Sequence, residues 1–187
     1  MAITGEDGTG VTGAEAYGDD PVALTTAYWA ARPNDPLAAT WAAETTTTAI
    51  KEGALRTAAA YIEATWGPFF IGLRKTQTQG LSWPRVAGKD EAGNLIPLTD
   101  GLGNELPALP LQLIEVQAEL AARAVSGPLA KDAARGGLIK AVGAGSARVE
   151  FMDGAPSDKS FGTVAQTLAS LLNGSQPGSK TATWFWR

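Results

Sequence analysis

Ala54-Leu55-Arg56-Thr57-Ala58-Ala59-Ala60-Tyr61-Ile62-Glu63-Ala64-Thr65-Trp66-Gly67-Pro68 is the stretch on which a reading of the fold turns. Leu55, Ala58, Ala59, Ile62, Thr65 and Trp66 recur at helical spacing, and Gly67-Pro68 stops the run. The pattern predicts a helix over 48–66 with one apolar stripe. A second such helix opens at Pro110, runs to Val125 and ends at Ser126-Gly127-Pro128. Leu111, Ile114, Ala118, Ala121 and Val125 line one face, widened by Leu113, Val116, Leu120 and Ala124. A stripe that broad is too apolar for a helix that is mostly solvated. Two helices of this kind must bury their stripes in one core. The expected fold class is mainly α: a small helical bundle with a short β-hairpin, a long irregular loop and flexible termini.

Working outward, Asp20-Pro21 reads as a helix start, with Leu24, Ala27, Tyr28 and Ala31 following before Arg32-Pro33. Leu37 and Trp41 mark a short helical piece over 36–43. Residues 67–109 carry Gly or Pro every few positions and read as one long irregular loop, of a length that is usually functional or docked on something. A short helix is expected over 128–135. Leu138–Val142 and Ala147–Phe151, flanking Gly143-Ala144-Gly145-Ser146, predict a hairpin. Phe161–Leu172 is a last amphipathic helix ended by Asn173-Gly174. The expected organisation is a flexible acidic arm over 1–19, a helical domain over 20–173 and an aromatic-ended tail over 174–187.

Composition removes whole classes of chemistry. Among 187 residues there is neither Cys nor His. Thiolate nucleophiles, disulfides, cysteine zinc sites, Ser-His-Asp triads and imidazole proton shuttles are thereby excluded. The net charge is −4, and residues 1–30 carry Glu6, Asp7, Glu15, Asp19 and Asp20 with no Lys or Arg. Such a balance argues against a dedicated duplex-binding surface, whose affinity comes from neutralising phosphates. No apolar run is long enough to span a bilayer, and the first residues do not read as a signal peptide. The expectation is a soluble protein made in the cytoplasm.

Motifs add little catalysis. Gly8-Thr9-Gly10-Val11-Thr12-Gly13 matches GxGxxG, but no apolar strand precedes it and Glu6-Asp7 would repel a phosphate, so it reads as linker. Asp90, Glu91, Asn94 and Asp100 lack calcium-loop spacing and read as solvated turns. Glu115, Glu119 and Arg123 read as an exposed ion-paired helix face. No catalytic residue, cofactor site or metal site is expected. The aromatics are more informative. Trp83, in Ser82-Trp83-Pro84-Arg85, reads as the anchor of its loop, with Arg85 free to pair with an acid or a neighbouring subunit and Arg74 beside it as a further inter-subunit candidate. Trp184, Phe185, Trp186 and Arg187 end a Gly/Ser/Thr tether, and either dock in a partner's pocket or fold back on the chain.

Ala54-Leu55-Arg56-Thr57-Ala58, Tyr61-Ile62, Trp66, Gly72, Arg74, Gln79-x-Leu81, Trp83-Pro84-Arg85, Ala118-Glu119-Leu120-Ala121 and Asp153-Gly154-Ala155-Pro156 together carry a resemblance. Over roughly 17–172 the chain resembles tailed-phage and gene-transfer-agent head–tail connector adaptors, a family often labelled DnaT-like single-stranded DNA-binding. Trp-Pro-Arg between two such helices is the specific part; the stretch from Gly93 to Pro110 is longer than the family's pattern, and the aromatic tail has no counterpart in it.

The resemblance implies a structural subunit of a dodecameric ring at the neck of a virion or gene-transfer-agent particle, synthesised in the host cytoplasm. Its implied partners are the portal protein, a stopper or tail-terminator protein and further copies of itself, with duplex DNA passing through the channel. Taken literally, the family label implies instead a single-stranded DNA-binding replication accessory. Such a protein needs a cationic groove with stacking platforms. Arg74, Lys75, Trp83 and Arg85 would have to supply it, against Asp90 and Glu91 nearby.

Overall fold

Two aspartates followed by prolines set the first helices. In the computed structural model, which describes residues 2–129, 141–144, 147–150 and 161–173, α1 spans Pro21–Ala30 and α2 spans Pro36–Ala42. Asp20 accepts a hydrogen bond from the Ala23 N–H at 3.0 Å, and Asp35 accepts one from the Leu37 N–H at 2.8 Å. Each carboxylate satisfies an orphan donor of the first turn, while Pro at the first position forfeits no bond. The long helices follow: α3, Thr48–Trp66, and α4, Leu111–Ser126. Helix α5 spans Gly162–Leu168 and continues into a 3-10 turn, Ala169–Leu171.

The core lies where α3 packs on α4. Leu55, Ala58, Ala59 and Ile62 of α3 face Leu113, Val116, Leu120 and Ala121 of α4 across an interior shared with Leu168 of α5. Small residues on both long helices let them approach closely. Helices α1 and α2 close one flank with Trp29 and Trp41, both nearly fully buried. Their indole N–H groups donate to the Ala118 carbonyl at 3.3 Å and the Thr26 hydroxyl at 3.1 Å. Leu111, expected on the buried face, is exposed; the buried stripe is turned toward Leu113, Val116, Gln117 and Leu120.

The mainly α expectation is overturned. The described residues are mixed α/β, with seven short strands in three small sheets beside the five helices. The expected long loop contains β3 (Leu73–Arg74), β4 (Arg85–Lys89) and β5 (Leu95–Pro97), an antiparallel sheet in that order. Its strands are too short and too exposed to show an alternating pattern. The turns make the meander. Asp90-Glu91-Ala92-Gly93-Asn94 and Asp100-Gly101-Leu102-Gly103-Asn104 close in the same way. In each, the Asp carboxylate accepts from the Asn backbone N–H (2.7 and 2.8 Å) and side-chain amide (2.9 and 3.0 Å). Gly93 and Gly103 take φ of 88° and 86°, the left-handed geometry of a three-residue hairpin loop. The second turn is flanked by a bridge between Thr99 and Glu105.

The N-terminal segment is also packed rather than free. Gly5–Glu6 (β1) and Ala16–Tyr17 (β2) pair in parallel, with Gly5 opposite Ala16 and Glu6 opposite Tyr17. The connection is organised by one carboxylate. Glu6, fully buried, accepts hydrogen bonds from Gly8 N–H (3.0 Å), Gly10 N–H (2.9 Å) and Val11 N–H (2.8 Å). The GxGxxG segment is therefore neither linker nor phosphate cradle; its converging amides hold the chain's own anion.

A hairpin of β6 (Ala141–Ala144) and β7 (Ala147–Glu150) pairs Val142 with Val149 and Ala144 with Ala147. The expected helix over 128–135 lies largely, and Asp153-Gly154-Ala155-Pro156 and the tail entirely, outside the described residues. Among the described residues, no helix is long and apolar enough to cross a membrane.

Candidate functional site

The last turns of α3 carry the residues that shape the other end of the molecule. Glu63 receives the N–H of Ser82 at 2.9 Å on one oxygen and the Ser82 hydroxyl at 2.6 Å on the other. Tyr17 donates its hydroxyl to the same carboxylate. One side chain thus ties strand β2, helix α3 and the loop that precedes β4. Burial, and then the negative charge of Glu63, hold the Tyr17 phenol well above the usual tyrosine range. The Arg74 guanidinium lies 3.9 Å from Glu63.

Trp83 is fully buried next to this hub, edge-on to Phe70 with ring centroids 6.1 Å apart, and its indole N–H has no partner among the described residues. The Trp83–Pro84 peptide is cis. Arg85 turns back on its own surroundings. Its Nε donates to the Ile71 carbonyl at 2.6 Å, Nη2 to Gly72 at 2.6 Å and Nη1 to Ser82 at 3.3 Å. Burial, and then the nearby Arg74, lower its pKa from the ordinary arginine value. Lys75 donates to the Gly8 carbonyl at 3.1 Å. Buried Gln79 completes the loop, accepting from Thr76 N–H at 2.9 Å and donating to the Leu81 and Pro84 carbonyls at 2.8 and 3.1 Å.

Arg74, Trp83 and Arg85 are thus brought into one region, but of the three only Arg74 is exposed, Arg85 being half-buried and Trp83 buried. The other expected site residues, Trp184, Phe185, Trp186 and Arg187, lie outside the described residues. Asp90 and Asp100 sit in separate turns, and among the described residues no group of acids is placed to hold a metal ion. Glu119 pairs with Arg123 at 2.9 Å and accepts from Tyr28 at 3.1 Å, while Glu115 lies 3.7 Å from Arg32. Burial, and then Glu119, push the Tyr28 phenol up to about 12.

The surface feature that sequence reasoning missed is the meander. Of the six large exposed hydrophobics among the described residues, Leu73, Leu95, Ile96 and Leu102 belong to it, leaving Ile50 and Leu111 elsewhere. Its signal was present as the repeated Asp-x-x-Gly-Asn turn. Residues 1–185 match the family model described as "Putative DnaT-like ssDNA binding protein". The chain belongs to that family. No curated protein and no solved structure matches it. In this family member, then, the Trp-Pro-Arg element faces inward and the exposed apolar surface lies on the sheet beside it.

Proposed function

We propose that this chain is a structural head–tail connector subunit that assembles with copies of itself into a ring between portal and stopper or tail-terminator proteins. The observation that carries the reading is how the Trp83-Pro84-Arg85 element is used. Trp83 is buried, Arg85 donates to three backbone carbonyls, and Lys75 is tied to the N-terminal loop. A single-strand groove needs exposed stacking faces and free cations. These residues serve the fold instead. The exposed apolar meander supports the same reading, because clustered wet hydrophobics mark protein–protein surfaces. A chain of net charge −4 suits a channel wall along which duplex DNA slides without sticking. The aromatic tail ending in Trp184, Phe185, Trp186 and Arg187 would serve as a docking peptide toward the portal.

The second reading, a single-stranded DNA-binding replication accessory, is favoured by the family description, with Arg74 as its exposed cation. A salt-dependent gel shift with a single-stranded oligonucleotide separates the two. The connector reading expects no submicromolar binding at physiological salt. A tight complex that weakens steeply with salt would install the replication reading in its place.

A further inference from the structure

We propose that Leu102 is a knob that seats in the cleft between α1 and α2 of a second copy of this chain. This rests on the self-assembly part of the reading above and names the surfaces by which copies meet. Leu102 is 88% exposed at the tip of the second Asp-x-x-Gly-Asn turn. Asp100 fixes that tip, accepting from Leu102 N–H at 2.8 Å as well as from Asn104. A side chain displayed on a preorganised turn loses little freedom when it binds. The turn itself does not ask for leucine. Its twin holds Ala92 at the equivalent place with the same hydrogen bonds to its Asn. The leucine is thus an apolar group whose exposure the local fold does not explain.

A receptor of matching character lies on the same molecule. Between α1 and α2 is a cleft of about 310 Å³ walled by Trp29, Ala30, Pro33, Ala39 and Trp41. Among the described residues Lys51 is the one charged residue lining it, its ammonium 5.3 Å from the Trp41 ring centre. The hairpin that bears Leu102 carries Asp100 and Glu105, so knob and cleft complement each other in charge as well as polarity. Leu102 does not fill this cleft in its own chain. Lys51 belongs to the first turn of α3, whereas Leu98, at the root of the hairpin, lies against Gly72 beyond the far end of that helix. A knob and a socket on different surfaces give a head-to-tail contact, which closes into a ring or runs on as a filament.

The absence of cysteine makes the test clean. A chain carrying both Ala39→Cys and Leu102→Cys should form a reducible ladder of covalent oligomers on oxidation, while either single variant should not. The wild-type chain should self-associate in sedimentation, and Leu102→Asp should keep its melting temperature and lose that association. A double-cysteine variant that stays monomeric at its highest soluble concentration would overturn the proposal. So would tip-to-tip dimers of Leu102→Cys alone, or loss of association on removing residues 174–187 with Leu102→Asp unaffected. Particle necks that lack the chain would sink the connector reading yet leave a disulfide ladder standing, so the two failures are distinguishable.

Discussion

Gln117 holds both backbone polar groups of Tyr17. From a fully buried position on α4, its Oε1 accepts the Tyr17 N–H at 2.7 Å and its Nε2 donates to the Tyr17 carbonyl at 2.9 Å. A side-chain amide thereby acts as the missing neighbour of strand β2 and fastens the N-terminal sheet to the helical core. Gln117→Leu keeps the volume and orphans two buried groups. The expected loss is about 2–6 kcal/mol, since each of the two unsatisfied buried backbone groups costs about 1–3 kcal/mol. Urea denaturation should show a lower midpoint at unchanged slope.

Tyr17 itself gives the fold an alkaline limit. Its phenol is raised in the folded state, so the protonated form is favoured there. Stability is then complete below the ordinary tyrosine value of about 10 and falls as pH rises beyond it. Tyr17→Phe should flatten the fall in melting temperature through that range. A residual slope should remain from Tyr28, which is also raised. An identical alkaline profile in wild type and variant would remove Tyr17 from the account.

Glu6 organises the loop between β1 and β2, so Glu6→Ala should open it. Three amides lose their acceptor. The expected cost is about 2–4 kcal/mol, and proteolysis should nick the 7–15 segment first. Limited digestion with mass spectrometry reads this directly; cleavage no faster than in wild type would contradict the assignment.

Trp83→Ala removes a fully buried indole. The cavity should cost about 3–5 kcal/mol and lower the melting temperature accordingly. A melting temperature equal to wild type would mean that the indole contributes nothing to the core.

The sequence made the helices legible because each has a local signature. Asp20-Pro21 and Gly67-Pro68 bound their runs, and α3 occupies Thr48–Trp66. It did not reveal the partners of buried polar groups. By sequence Glu6 belongs to an acidic arm, since its role as acceptor depends on amides that converge only after the loop closes. Gln117 lay beside an apolar stripe, and its target is 100 residues away. The side-chain pattern offers Arg85 to an acid or a neighbouring subunit, because the carbonyls it actually meets leave no trace in that pattern. The meander hid behind its Gly and Pro content, although Asp90–Asn94 and Asp100–Asn104 repeat the same turn spelling.

Electron cryomicroscopy of whatever tailed particles the replicon encoding this chain releases tests the central claim most directly. The account predicts a ring of density beneath the portal into which the α3–α4 pair and the three-stranded meander fit, one copy per subunit position. Particles whose neck holds no such density, or a replicon that makes no particle, would contradict it.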